Sequence, residues 1–334
     1  MLAACGAAPT PAPVHTPPAE WTALTSGTSE SLRGLSVVSA EIVWASGTHG
    51  TVVHSIDGGA SWRVSVVPDA DALDFRSLHA FDRERALVLS AGSPARAFLT
   101  RDGGLTWTET YTREGEGVFF DSLAFRDASE GLAIGDPLPA EDGPHFVLLV
   151  THDGGTHWEE RVGPRAEVGE AAFAASNGCL AFLGSSGVIF ATGGSAARTF
   201  RSIDDAATWS SASAPIASSA SAGIFALAFE DAQIGYAVGG DYAAPTDPGS
   251  FARTSDGGLA WTAGASPRGY RSSIAIAPGA LIVVGSSGSD ISRDDGNTWT
   301  PIGDTPLNAV RIAGDIAFAV GPEGRLARLS LRAR

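Results

Sequence analysis

Lysine is absent: all 22 basic side chains among the 334 residues are arginine. That bias suits bidentate recognition of anions, and it equally records the codon preference of a genome. Cysteine occurs only at Cys5 and Cys179, too few for a disulfide scaffold and at no spacing suited to redox work or haem attachment. No Gly-rich dinucleotide fingerprint opens a helix, so nothing supports an oxidoreductase and no cofactor is expected. No run approaches the roughly 20 apolar residues of a membrane-spanning helix. Positive charge is scarce too: 37 acidic against 22 basic residues give a net charge of −15. An acidic surface excludes nucleic-acid binding driven by phosphate neutralisation.

Glycine is abundant, with 41 residues, and one phrase recurs six times. The copies read S-I-D-G-G-A-S-W, T-R-D-G-G-L-T-W, T-H-D-G-G-T-H-W, S-I-D-D-A-A-T-W, T-S-D-G-G-L-A-W and S-R-D-D-G-N-T-W. They end at Trp62, Trp107, Trp158, Trp209, Trp261 and Trp299, spaced by 45, 51, 51, 52 and 38 residues. That period predicts one four-stranded propeller blade per repeat. Within the phrase, an Asp side chain accepts backbone N–H bonds while the glycines adopt positive φ cheaply, so a hairpin turn is expected. Asp57, Asp102, Asp153, Asp204, Asp256 and Asp294 are therefore read as structural. One carboxylate per phrase supplies neither a calcium ligand set nor an acid/base pair. Each Trp is expected to lay its apolar surface on its own hairpin. In the fourth copy Asp205 and Ala206 replace the glycine pair, and a differently built turn is expected there.

Short alternating segments between the phrases fit strands of roughly 4–6 residues, and no stretch has helical periodicity. The predicted fold is all-β, a seven-bladed propeller with blades at 31–68, 72–113, 118–163, 169–215, 222–266, 270–303 and 307–334 with 21–26. The C-terminal stretch has three strands and no Trp, whereas Trp21 precedes a strand without a partner. Joining them closes the ring and removes its exposed edges. Residues 21–334 are thus one domain, and a monomer is expected.

Residues 1–20 read differently. Leu2-Ala3-Ala4-Cys5-Gly6 resembles a bacterial lipobox, in which the Cys is lipidated after signal cleavage, and a Pro/Ala-rich tether follows. The expectation is a periplasmic or outer-membrane-tethered lipoprotein whose signal peptide is truncated here, with membrane contact only through Cys5. Cys179 is expected to be a small buried apolar residue.

The six phrases, with G-L-A-I-G-D, G-Y-A-V-G-G-D, L-I-V-V-G-S-S-G and A-F-A-V-G-P-E-G, resemble the photosystem II assembly and stability factor-like propellers. These are related through the Asp-box (BNR) phrase to sialidases. The resemblance spans about residues 21–334 and implies a propeller serving as an interaction or assembly module in a non-photosynthetic, exported setting.

In such a fold, loops leading into the innermost strands and those after the second strands converge on one face of the channel. The first group supplies Arg33, Arg76, Asp121, Glu170, Tyr270, Arg271 and Asn308. The second supplies Asp136, Arg198, Asp241, Tyr242 and Asp290, with Gly193-Gly194 and Gly239-Gly240 expected to permit close approach of a ligand. His54, His79, His145, His152 and His157 have no repeated metal-ligand spacing, so no metal site is assigned. An unidentified protein or small ligand at this channel face is the expected partner. The alternative is a sialidase-like hydrolase using Arg33, Arg76 and Arg271 with Tyr270 and Glu170. The Arg-Ile/Leu-Pro signature of that class is absent, so no catalytic residue is assigned. A deep narrow cavity lined by Glu170, Asp241 and Arg271 would favour a ligand, and a broad groove a polypeptide.

Overall fold

The computed structural model describes residues 20–331; Cys5 and the tether lie outside the described residues. Thirty strands and no helix are present among them. They form seven antiparallel blades, whose innermost strands are Leu32–Val37, Asp74–Ala80, Phe120–Phe125, Leu180–Leu183, Ala222–Phe229, Ser273–Ala277 and Ala309–Ala313. The ring closes as expected. Thr22–Thr25 pairs with Arg325–Ser330, Thr22 opposite Arg328, and so supplies the fourth strand of the seventh blade.

Seven apolar clusters hold the ring, one between each pair of neighbouring blades. Each phrase Trp belongs to the cluster between its own blade and the preceding one: Trp62 to the seventh–first interface, Trp107 to the first–second, Trp158 to the second–third. Trp209, Trp261 and Trp299 continue the series, and Trp21 completes it between the sixth and seventh blades. The Trp therefore does more than cover its own hairpin. It wedges two blades together, which places the largest apolar side chain at the seam where separate sheets must be joined.

The phrase itself works as a closed hydrogen-bond ring. Ser55 Oγ donates to Asp57 Oδ1 (2.8 Å) and accepts from Gly59 N (2.9 Å), while Asp57 Oδ1 accepts from Ser61 N (2.9 Å). The same bonds recur around Asp102, Asp153, Asp204, Asp256 and Asp294. In the fourth copy the turn is not rebuilt: Asp205 and Ala206 take φ of 56° and 65°, and Ala206 N still donates to Ser202 Oγ (3.0 Å). The ring of bonds forces two side-chain-bearing residues into the left-handed region, at a cost of about 1–2 kcal/mol for a residue such as Ala.

Blade four departs from expectation in its start. The innermost strand begins at Leu180, and residues 167–178 form an insertion. Within it Glu170–Ala171 pairs with Gly193–Gly194, and Gly193 pairs on to Gly223 of the fifth blade. Cys179 is buried and unpaired in the cluster between the third and fourth blades.

Candidate channel site

Beyond Ala171 the insertion turns into the channel. The Phe173 ring stacks on Phe225 with centroids 4.2 Å apart, and the next residues reach every other blade. Arg33 of the first blade donates to Ala175 O (3.2 Å). The Asn177 amide donates to Leu78 O of the second blade (3.0 Å) and its Oδ1 accepts from Leu123 N of the third (2.7 Å). Gly178 O accepts from Leu227 N of the fifth (2.8 Å), Ser176 Oγ donates to Ser272 O beside the sixth (2.6 Å), and Arg311 of the seventh donates to Asn177 O (2.8 Å). These contacts make residues 173–178 a plug. A backbone crossing the channel needs partners for its buried polar groups, and the inner strands' free edges provide them. Asn177 takes φ of 54°, which Asn tolerates better than most residues.

Above the plug, meaning toward the start of the inner strands, four of those strands carry a β-bulge. The register slips around Arg33, around Phe75 and Arg76, around Asp121 and around Phe225. A bulge re-aims the side chains of the extra residue, and it explains why these positions gather around the plug. Arg33 has no carboxylate within ion-pair distance among the described residues; burial, then the neighbouring Arg76, hold its guanidinium below the ordinary value. Arg76 pairs with Asp74 (2.7 Å) and lies over the Phe119 ring. Tyr270 packs edge-on against Phe225, burial pushing its phenol up, and Tyr242, half-exposed, stands against both Phe173 and Phe225.

Asp121 and Asp136 form a second group here. Asp121 is fully buried, with no well-aligned hydrogen bond to either oxygen beyond a weak donor in the Ala174 amide. Burial, and then the Asp136 charge, hold its carboxyl well above the usual range. Asp136 accepts from Ala172 N (3.0 Å), and burial raises it to about 6. Both carboxyls flank the plug's backbone rather than an open cleft.

The remaining sequence candidates serve the scaffold. Arg271 and Asp290 have fully buried side chains and pair with each other, Arg268 adding a second bond to Asp290 (2.7 Å) and one to Asp304 (2.8 Å). Glu170 is buried against Arg198 and Thr192, pinning the insertion to the fourth blade. Asn308 donates to Leu32 O (2.8 Å), tying blade seven to blade one. Asp241 accepts from Ala243 N (2.8 Å) and so caps its own loop. Arg271 and Glu170 therefore do not converge with Arg33, Arg76 and Tyr270, and the sialidase-like set is not assembled. The glycines admit the chain itself rather than a ligand: a Cβ at Gly239 would lie 1.9 Å from Gly223 O, and one at Gly193 would strike the Phe173 ring at 2.2 Å. Among the described residues no three His, Cys, Asp or Glu side chains gather as a metal-binding group. His145, His152 and His157 each face a separate carboxylate, of Asp142, Glu130 and Asp153.

Sequence reasoning missed the plug. Its local signal was the turn triplet Ser176-Asn177-Gly178 directly before the apolar run that starts at Cys179, which marks where the inner strand begins.

No protein-family model matches the chain, and no curated protein sequence matches it. Solved structures do. A structure described as YCF48 bound to D1 peptide superimposes with a TM-score of 0.65 at 15% identity, covering 96% of this chain and 99% of that one. YCF48 from Cyanidioschyzon merolae gives 0.66 at 16%, covering 93% and 99%. Virginiamycin B lyase from Staphylococcus aureus gives 0.71 at 11%, covering 94% and 100%. At these identities the likeness is one of fold, and with the strand order it identifies the chain as a seven-bladed β-propeller.

Proposed function

We propose that this chain is an exported, non-catalytic interaction module that holds a partner polypeptide across the plugged mouth of its channel. The observation that carries the reading is a guanidinium at that mouth without a carboxylate partner, Arg33, beside a second one, Arg76, in a chain of net charge −15. Arg33 meets no carboxylate within ion-pair distance among the described residues, Arg76 pairs with Asp74, and burial favours the neutral form of Asp121. Phe119 and the exposed Tyr242 border this spot. Arg with aromatic neighbours is the combination that anchors interfaces, and a surface closed beneath by a plug suits an extended segment with an anionic group. The fold shared with a structure described as holding a D1 peptide is in keeping with this reading. Arg271, Asp290, Glu170, Arg198 and Asn308 drop out of the binding set, being committed to internal bonds.

The test is capture of a partner by the tagged full chain, comparing wild type with the Arg76→Ala, Tyr242→Ala double variant after matched thermal melts. Retention by wild type and loss by the variant supports the reading; equal retention, or no partner for either, removes it. The lipobox-like Leu2–Gly6 supports anchoring at Cys5 in the periplasm or on the outer membrane. Mass spectrometry of the mature N-terminus, expressed behind an intact signal peptide, checks this: an acylated Cys5 is expected, and an unmodified one refutes it.

A further inference from the structure

The plug leaves a blind cavity at the other end of the channel. Its volume is about 440 Å³, within the range of small-molecule sites. Its rim takes one partly exposed side chain from most blades: Val37, His79, Phe125, Phe229, Ile276 and Ile312. These lie near the ends of the inner strands, where the chain turns back into the second strand. At the inner end stands Arg311. Its Nη1 donates to Val310 O (2.8 Å) and Ser273 Oγ (3.2 Å) and its Nη2 to Ser176 O (3.1 Å) and Asn177 O (2.8 Å), which leaves the Nε–H for a ligand, and no carboxylate lies within ion-pair distance among the described residues. No acidic residue lines the cavity.

Arg311 shares this lack of a carboxylate partner with Arg33 above the plug, but only Arg311 stands beside open volume. The fully buried Arg271 and the partly exposed Arg198 each face a carboxylate, Asp290 and Glu170, whereas Arg311, also partly exposed, does not. A buried charge without a counter-ion is costly, carbonyl dipoles offsetting only part of the loss. Burial holds the Arg311 guanidinium down to about 10, so it stays charged at neutral pH. His79, the other titratable group of the lining, is lowered to about 4 by burial and then by Arg85, and is neutral there. The cavity thus offers one net positive charge at its inner end and apolar side chains at its rim.

We infer that this cavity binds a small free carboxylic acid with an apolar body, its carboxylate supplying the missing counter-ion to Arg311 and its body lying among Val37, Phe125, Phe229 and Ile276. The site is separate from the mouth above the plug and does not depend on what binds there.

Calorimetric titration of the full chain with hexanoate, hexanol and hexylamine tests it. Hexanoate binds with one site per chain. Hexanol binds at least about tenfold more weakly, since a hydrogen bond to a charged group is worth more than one factor of ten, and hexylamine does not bind. Arg311→Met abolishes the preference for the acid. Ile276→Trp, which fills the rim and leaves the plug and Arg311 in place, abolishes binding altogether and serves if Arg311→Met fails to fold. Absence of hexanoate binding, equal binding of hexanol, or hexanoate binding unaffected by Ile276→Trp overturns the inference.

Discussion

The two ends of the channel are built from the same seven inner strands, yet their chemistry is opposite. Above the plug, bulges in blades one, two, three and five turn Arg33, Arg76, Asp121 and Phe225 toward the axis. Below it the strands run without bulges, and the rim is apolar with a lone Arg311. A one-residue slip in register is enough to change which side chain faces the axis. Buried charge is handled differently as well. Arg271 and Asp290 neutralise each other above the plug, whereas Arg311 leans only on neutral oxygens. Paired buried charges are read as scaffold, and an unpaired one beside open volume is read as a site.

Breaking the paired end has the largest expected effect. Asp290→Ala strands Arg271 and Arg268, and costs about 3–5 kcal/mol, measured by chemical denaturation; a loss under about 1 kcal/mol would mean the pair is not buried as described. Asn177→Ala removes the amide that bridges blades two and three. With several buried partners left unsatisfied, about 2–4 kcal/mol is expected, measured by chemical denaturation.

Titration separates the channel from the hairpins. Asp121 and Asp136 have raised carboxyls, so their penalty is absent below the ordinary carboxylate value of about 4 and grows as pH rises above it, for Asp136 until about 6. Asp121→Asn should therefore stabilise the fold increasingly as pH rises above the ordinary carboxylate value, by up to about 1.4 kcal/mol per pH unit for one proton. Melts at pH 5 and pH 8 that show the same difference from wild type would refute this. The phrase carboxyls behave oppositely. Asp57, Asp102 and Asp204 are held at about 2, chiefly by the hydroxyls of Ser61, Thr106 and Thr208. Their contribution is present above the ordinary carboxylate value and is lost as pH falls from about 4 to about 2, with proton uptake on unfolding in that window. The smallest effect concerns the fourth hairpin: Ala206→Gly relieves the positive φ and stabilises by up to about 1 kcal/mol, read as a modest rise in melting temperature.

The blade count and the closing strand were legible because both rest on local, repeated chemistry. The hydroxyl and Asp of each phrase make bonds within eight residues, so spacing alone exposes them. The unpaired strand after Trp21 and the incomplete C-terminal blade announce each other by the same logic. The plug was not legible: Ala175, Ser176 and Asn177 owe their position to Arg33, Leu78, Leu123 and Arg311, up to 142 residues away. Nor could the sequence sort its arginines. Arg271, Arg33 and Arg311 look alike in a row of letters, and only the pairing of Arg271 with Asp290 separates scaffold from candidate site. Each phrase Trp stands directly before the outermost strand of its blade, and its wedging between blades depends on the neighbouring sheet.

Hydrogen exchange at the Leu123 and Leu227 amides tests the divided channel most directly. Both point from free inner-strand edges and donate to the plug, to Asn177 Oδ1 (2.7 Å) and Gly178 O (2.8 Å). A plugged channel gives these two amides protection close to that of global unfolding. Exchange as rapid as that of an exposed loop would mean that residues 173–178 do not close the channel, and that its two ends are one open passage.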